Sequence, residues 1–242
     1  MKRIATCGGG TADGERRTPS AGDLLTVELH CHTYYSTDSL LSPARLVETC
    51  RRRGIDRVAI TDHNRIAGAL AAAEIDPERV IIGEEIMTTQ GELLAFFLTE
   101  LVPAGLSPQE AISRLRAQGA FISVSHPFDS VRKGAWAPED LRLILPLVDA
   151  LEIFNARTLS DEPNRRAGEL ADQAGLPGTA GSDAHTAMEL GRAVMRLPAF
   201  DDVEGFRTAL GRGRIIGRRS SALVHLASRY ATLRKRWGWR VR

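Results

Sequence analysis

Five of the six histidines in this chain stand at or just beyond the end of a short apolar, β-like run. His30 and His32 end LLTVELHCH, His63 follows RVAITD, His126 follows FISVS, and His185 closes GTAGSDAH. Helix-like stretches with clear start and stop signals separate these runs. Ser42-Pro43 supplies an N-cap and a first-turn proline, with Gly54 as the stop. Ser107-Pro108-Gln109-Glu110 is a capping box whose helix ends at Gly119. Repeated strand–helix units of this length build a parallel sheet or a barrel. In β/α barrels the carboxyl ends of the strands form the mouth where reactive groups collect. The expected fold is therefore a single α/β barrel domain over residues 25–219, with the histidines converging at one end.

The 242 residues suffice for one sizeable core. Residues 1–24 are rich in Gly, Thr, Ser and charge and lack the apolar stretch of a secretory signal, so a flexible lead-in is expected there. No apolar run approaches the roughly 18–20 residues that span a membrane. Cys7, Cys31 and Cys50 have no paired metal spacing, which fits a reduced, cytoplasmic setting. Cys31 lies between two histidines, but on a strand it faces away from both and is expected to pack behind it.

Carboxylates accompany the histidines: Asp38, Asp62, Glu84, Glu85 and Asp183. Imidazole and carboxylate together suit Zn, Mn or Fe(II). His30 and His32, two apart on a strand, share a face and can chelate one ion. Glu84 and Glu85 are adjacent on a strand, so only one can enter the site. His225 has no such company and reads as an ordinary histidine.

A net charge of +2 conceals an asymmetry. Beyond Glu204 there is no acidic residue, and that stretch carries +11, which leaves −9 on the rest. Residues 220–242 form a basic tail with helical periodicity: Leu223, Leu226, Ala227, Tyr230 and Leu233 make one stripe, extended by Trp237. The stripe is expected to dock on the acidic body and leave Arg229, Lys235 and Arg236 in water. Contact with nucleic acid or an anionic membrane surface is the alternative. No candidate ligand lies beyond His185, so truncation after Arg219 is expected to spare metal binding and hydrolysis of small substrates.

The segments HCHTYYSTD, ITDHN, GEE, SHPFD, EIFNAR and GSDAH, in that order across about residues 26–198, resemble the PHP (polymerase and histidinol phosphatase) family. The resemblance implies a distorted, TIM-like (β/α)7 barrel that hydrolyses phosphate esters with two or three divalent ions. It implies that His30 and His32 bind a first metal, completed by Asp183. Glu85 would bridge the first and second metals, His126 would bind the second, and Asp38, His63 and His185 a third. The nucleophile would be a metal-bound water held by Glu85, Asp183 and His126. Some relatives carry a histidine where this chain has Asn155, so the second site is expected to be open or completed by water.

Arg157, after the EIFNA run, and Arg192, after GSDAH, are the expected phosphate-binding residues. The substrate is expected to be a phosphorylated small molecule or a nucleotide. Three other readings compete. A nuclease would act on oligonucleotide ends, although the longer helical insertion common in the exonuclease-like branch is absent here. A non-catalytic scaffold or nucleic-acid-binding module would have lost ligands, yet the expected positions are filled. An amidohydrolase commonly uses a strand-end lysine, and Lys2, Lys133 and Lys235 do not occupy one.

Overall fold

β1 (Leu24–Glu28), β2 (Arg57–Ile60) and β3 (Val80–Met87) run parallel, joined by α1 (Pro43–Arg52) and α2 (Ala67–Ala73). β4 (Glu92–Phe96) folds back on β3 as an antiparallel hairpin, with Glu85 opposite Leu94 and Met87 opposite Glu92. After α3 (Pro108–Ala117), β5 (Phe121–Val124) pairs antiparallel with β4. α4 (Pro138–Ile144), β6 (Ala150–Asn155), α5 (Glu162–Ala174) and β7 (Gly178–Gly181) restore the parallel pattern. The sheet continues past β1 into β8 (Ala193–Pro198) and β9 (Arg214–Gly217), both antiparallel, with α6 (Val203–Leu210) between them and α7 (Val224–Arg236) after them.

This computed structural model describes residues 24–132 and 134–238; the expected lead-in, apart from Leu24, lies outside the described residues. No helix among the described residues is long and apolar enough to cross a membrane.

The seven strands β1 to β7 curl until the two ends meet. Cys31, just past β1, bridges in parallel to Ala184, just past β7. His32 N–H donates to the Ala184 carbonyl at 2.8 Å, and Ala184 N–H to the His30 carbonyl at 3.3 Å. The result is a nearly closed barrel, distorted because the β3–β4 hairpin replaces one strand–helix unit. Closure happens at the carboxyl end, which draws His30, His32 and Asp183 together.

The helix starts are built by the residues read from sequence. Ser42 accepts from Arg45 N–H and Ser107 from Glu110 N–H, and a first-turn proline follows each cap. α1 and α2 pack Leu46, Val47, Ala69 and Ala72 on Val58 and Ile60, in the cluster that also contains Cys31 and Cys50. Cys31 is fully buried behind the strand and its thiol donates to the Ala59 carbonyl at 3.3 Å. A second cluster gathers Leu25, Leu94, Phe96 and Phe121 around Phe206 of α6. The Phe121 and Phe206 rings meet edge to face at 4.9 Å. Burying a phenylalanine contributes about 1.5–3 kcal/mol, so Phe206 alone anchors α6 firmly.

α7 departs from expectation. Its apolar stripe is not the docking face: Leu223 is 70% exposed, Leu226 58%, Tyr230 56%, Leu233 53% and Trp237 88%. The buried residue is Ala231. Polar contacts set the orientation. Ser228 Oγ accepts from Arg157 Nη2 at 2.9 Å, and Lys235 Nζ donates to the carbonyls of Tyr34 (2.6 Å) and Ser36. Small and polar residues allow close approach to the barrel, and the large apolar ones are turned outward.

Candidate metal centre

Glu85 lies at the centre of the mouth. Its Oε2 is 3.3 Å from His30 Nε2, 3.4 Å from His32 Nε2 and 3.0 Å from His63 Nδ1. Its Oε1 is 3.1 Å from His126 Nε2 and accepts from Ser125 Oγ at 2.7 Å. Strand alternation sends Glu84 the other way, where its carboxylate accepts from Val102 N–H at 3.1 Å. Asp183 Oδ1 stands 3.2 Å from His32 Nε2 and 3.7 Å from His30 Nε2. Asp38 Oδ2 lies 3.0 Å from His185 Nε2 and 3.7 Å from His63 Nε2. His30, His32, Asp38, His63, Glu85, His126, Asp183 and His185 thus share one cluster.

The surrounding chain is shaped to hold them. A Cβ on Gly181 would lie 2.2 Å from His30 Cβ, so β7 approaches His30 only as glycine. Asp62 does not face the cluster. It accepts from Thr33 N–H at 2.7 Å and Ser36 Oγ at 2.6 Å, ordering the loop after His32. A Cβ on Gly68 would sit 2.0 Å from that carboxylate. Asp183 itself has φ +51°, a left-handed backbone uncommon outside glycine, of the kind that gathers at functional sites.

Glu152 and Asn155, three apart on β6, both reach the cluster because a register shift between Glu152 and Phe154 inserts a bulge. Glu152 Oε1 is 2.9 Å from His30 Nδ1, which fixes the ring with Nε2 aimed at Glu85 and Asp183. Four buried atoms then face one another with no hydrogen-bond partner: His30 Nε2, His32 Nε2, Glu85 Oε2 and Asp183 Oδ1. Buried polar groups are almost always satisfied, so a convergent set of unsatisfied donor-ready nitrogens and carboxylate oxygens fits a cation. Triads within ligand distance are His30–His32–Glu85, His30–His126–Asp183, His32–His63–His185 and His63–Glu85–Glu92.

The protonation states follow from the same packing. Burial would raise the carboxyls, but the His30 and His63 rings hold Glu85 well below the carboxylate range, as Arg132 and His30 do Asp183. Burial and the neighbouring His185 and His63 push His32 well below an ordinary histidine, keeping it neutral.

Above the cluster opens a cavity of about 1010 Å³, with Asp38, His63, Glu92, Arg132, Arg157 and His185 along it and Leu226, Arg229 and Leu233 of α7 as a wall. Arg157 is buried. Its Nη1 meets His185 Nδ1, and its Nε is 3.5 Å from Glu189. Arg192, by contrast, sits half-buried at the turn into β8 and does not line the cavity, because β8 turns back antiparallel along β1. His225 also faces the cavity, its Nε2–H donating to the Arg157 carbonyl at 3.2 Å.

Three cluster residues escaped the sequence reading. Arg132 binds Asp183 through Nη1 and lies 3.1 Å from Asp129, with its Nη2 buried and unpartnered. It lies in a loop where no periodicity applies. Glu92 is 3.6 Å from His126 and 3.8 Å from His63, and the hairpin register places it on the face of Glu85. Glu152 was inside the EIFNAR segment, but its reach to His30 depends on the bulge.

A nearly closed α/β barrel with a histidine- and carboxylate-lined mouth defines the class to which the chain belongs. A PHP domain family model matches residues 28–108 and a PHP-associated model residues 161–215. An uncharacterized protein of Methanocaldococcus jannaschii is 38% identical over 175 residues, which is 71% of this chain and 70% of that protein. The chain belongs to the PHP family. Among solved structures, a Bacteroides vulgatus two-domain protein containing a predicted PHP-like metal-dependent phosphoesterase matches with TM-score 0.69 and 22% identity, over 87% of this chain and 70% of that one. The lesion-specific endonuclease from Pyrococcus furiosus matches with TM-score 0.55 and 16% identity, over 79% of this chain and 57% of that one. The fold is that of the PHP-like metal-dependent phosphoesterases.

Proposed function

We propose that the chain is a metal-dependent phosphatase acting on phosphomonoesters of a small molecule or nucleotide. The observation that carries this is the set of unpartnered ligand atoms beneath a cavity that also holds the buried Arg157 and the half-buried Arg132. In this reading His30, His32, Glu85 and Asp183 hold a first divalent ion. Glu85 and His126 hold a second, and Asp38, His63 and His185 a third, with Mn, Zn or Fe(II) as the fitting metals. The bound ions would lower the pKa of a water nucleophile and neutralise charge on the phosphoryl oxygens.

The protein's own groups do the remaining work. Glu152 and Ser125 orient His30 and Glu85 before any ligand arrives, so little reorganisation is needed. Arg157, braced by Ser228, His185 and Glu189, brings a fixed positive charge and one remaining Nη2–H to a phosphate. Arg132 brings a second guanidinium with a spare Nη2. Phosphatase is favoured over nuclease because α7 stands along the mouth, tied to Tyr34, Ser36 and Arg157, and a continuous strand would have to displace it.

The test is a screen of protein loaded with Mn, Zn or Fe(II) against phosphomonoesters, phosphodiesters and short oligonucleotides. Monoester hydrolysis that disappears in His30→Ala/His32→Ala, together with most of one metal equivalent, is the expected result. Unchanged metal content in that variant, or hydrolysis confined to oligonucleotides, overturns the reading.

A further inference from the structure

Only Leu226 and Leu233 of the outward stripe of α7 touch the site described above, as part of its cavity wall, and the rest of the stripe has no function there. Leu223, Leu226, Tyr230, Leu233 and Trp237 follow one another at spacings of 3, 4, 3 and 4 residues, so they form one continuous seam. Each of the five is more than half exposed. An apolar seam of this kind on a surface marks an interaction site. It also continues around the cavity mouth: Leu226 and Leu233 line the cavity, as do Val131 and Leu159, which are 73% and 51% exposed.

The charges beside the seam decide what it fits. Arg229, Arg234 and Arg236 flank it, with Arg234 placed over the Tyr230 ring at 5.6 Å, and α7 carries no acidic residue. A second copy would pair seam to seam, but its flanking positions would set arginine against arginine with nothing to offset them. A nucleic acid would match the arginines and stack on Tyr230 and Trp237, yet would leave Leu223, Leu226 and Leu233 with no apolar partner. An anionic bilayer matches both, because headgroups take the arginines and the acyl boundary takes the leucines, tyrosine and tryptophan. α7 has 13 residues, about 20 Å of helix, which suits lying in the interface and is too short to span it.

We infer that the outer face of α7 docks on an anionic membrane surface and sets the cavity mouth beside the lipid headgroups. Lys235, engaged with the carbonyls of Tyr34 and Ser36, holds the helix to the barrel while the opposite face meets the bilayer.

The experiment is co-sedimentation of the full chain with vesicles of phosphatidylcholine alone or mixed with phosphatidylglycerol. Binding is expected to the mixed vesicles only, and to fall at high salt. Leu223→Ser/Trp237→Ser should weaken it by about tenfold or more. Arg229→Gln/Arg236→Gln should weaken it by about thirtyfold, from about fivefold per charge. Neither Leu223 nor Trp237 lines the cavity, so Leu223→Ser/Trp237→Ser should hydrolyse a soluble phosphomonoester like the parent. Absence of vesicle binding or equal binding to neutral vesicles overturns the inference. So does a dimer that Leu223→Ser dissociates, or oligonucleotide binding in place of vesicle binding. Vesicle binding is read without hydrolysis, so its failure is separable from failure of the phosphatase reading.

Discussion

Asn155 Nδ2 donates to Asp183 Oδ2 at 3.2 Å and to Glu152 Oε2 at 3.1 Å, while its Oδ1 accepts from Arg157 N–H at 2.9 Å. The amide is thereby fully used as a spacer between two carboxylates, one of which orients His30. A histidine at this position would offer a direct ligand; here the amide instead positions the proposed ligand Asp183 and the carboxylate that orients His30. Asn155→Ala should lower metal affinity by about 10–100-fold, the usual cost of losing such a supporting partner. Metal titration followed by elemental analysis checks this. Unchanged affinity would mean that Glu152 and Asp183 hold their places unaided.

Glu84 and Glu85 should separate completely on mutation. Glu85→Gln should cut hydrolysis by more than about 100-fold, the upper range for losing only a supporting partner. Glu84→Gln should leave hydrolysis close to the parent value and change stability instead. Burial pushes the Glu84 carboxyl up to about 7, against the opposing Val102 hydrogen bond. The folded protein therefore keeps a proton that the unfolded chain releases near 4.5. The stability that proton contributes is fully present below about pH 4.5 and is lost as pH rises through about 7. Glu84→Gln keeps an acceptor for Val102 and removes the ionisation, so its melting temperature should vary less across that window and exceed the parent's above it. Melts across that pH range would show it, and a larger activity loss at Glu84 than at Glu85 would reverse the strand register.

Truncation after Arg219 should retain the metal, since no candidate ligand lies beyond His185, but hydrolysis should not survive unchanged. The cavity loses one wall, and Arg157 loses Ser228. The expected signature is a higher KM. Ser228→Ala isolates the second effect and should raise KM about 3–10-fold, the value of one hydrogen bond. A truncated protein with parent kinetics would show that α7 contributes nothing to substrate binding.

Much of the site was legible in the sequence, for a local reason. A ligand at the end of a strand is announced by the apolar run that precedes it, and the two-residue period of the pleat settles which side it faces. That is why His30, His32, His63 and His126 could be placed together, Cys31 behind them, and Glu84 and Glu85 on opposite faces; the choice of Glu85 came from the family resemblance. Only the tertiary structure decided the rest. Glu152 and Asn155 share a face through a bulge, Arg132 arrives on a loop without periodicity, and Asp183 needs a left-handed backbone. For α7 the 3.6-residue period revealed an apolar stripe but not which way it points. That choice belongs to the buried Ala231 and to Ser228 and Lys235, whose contacts with Arg157, Tyr34 and Ser36 join residues 71, 201 and 199 positions apart in the chain. Periodicity records the geometry of one element, whereas docking depends on partners that only folding brings within reach.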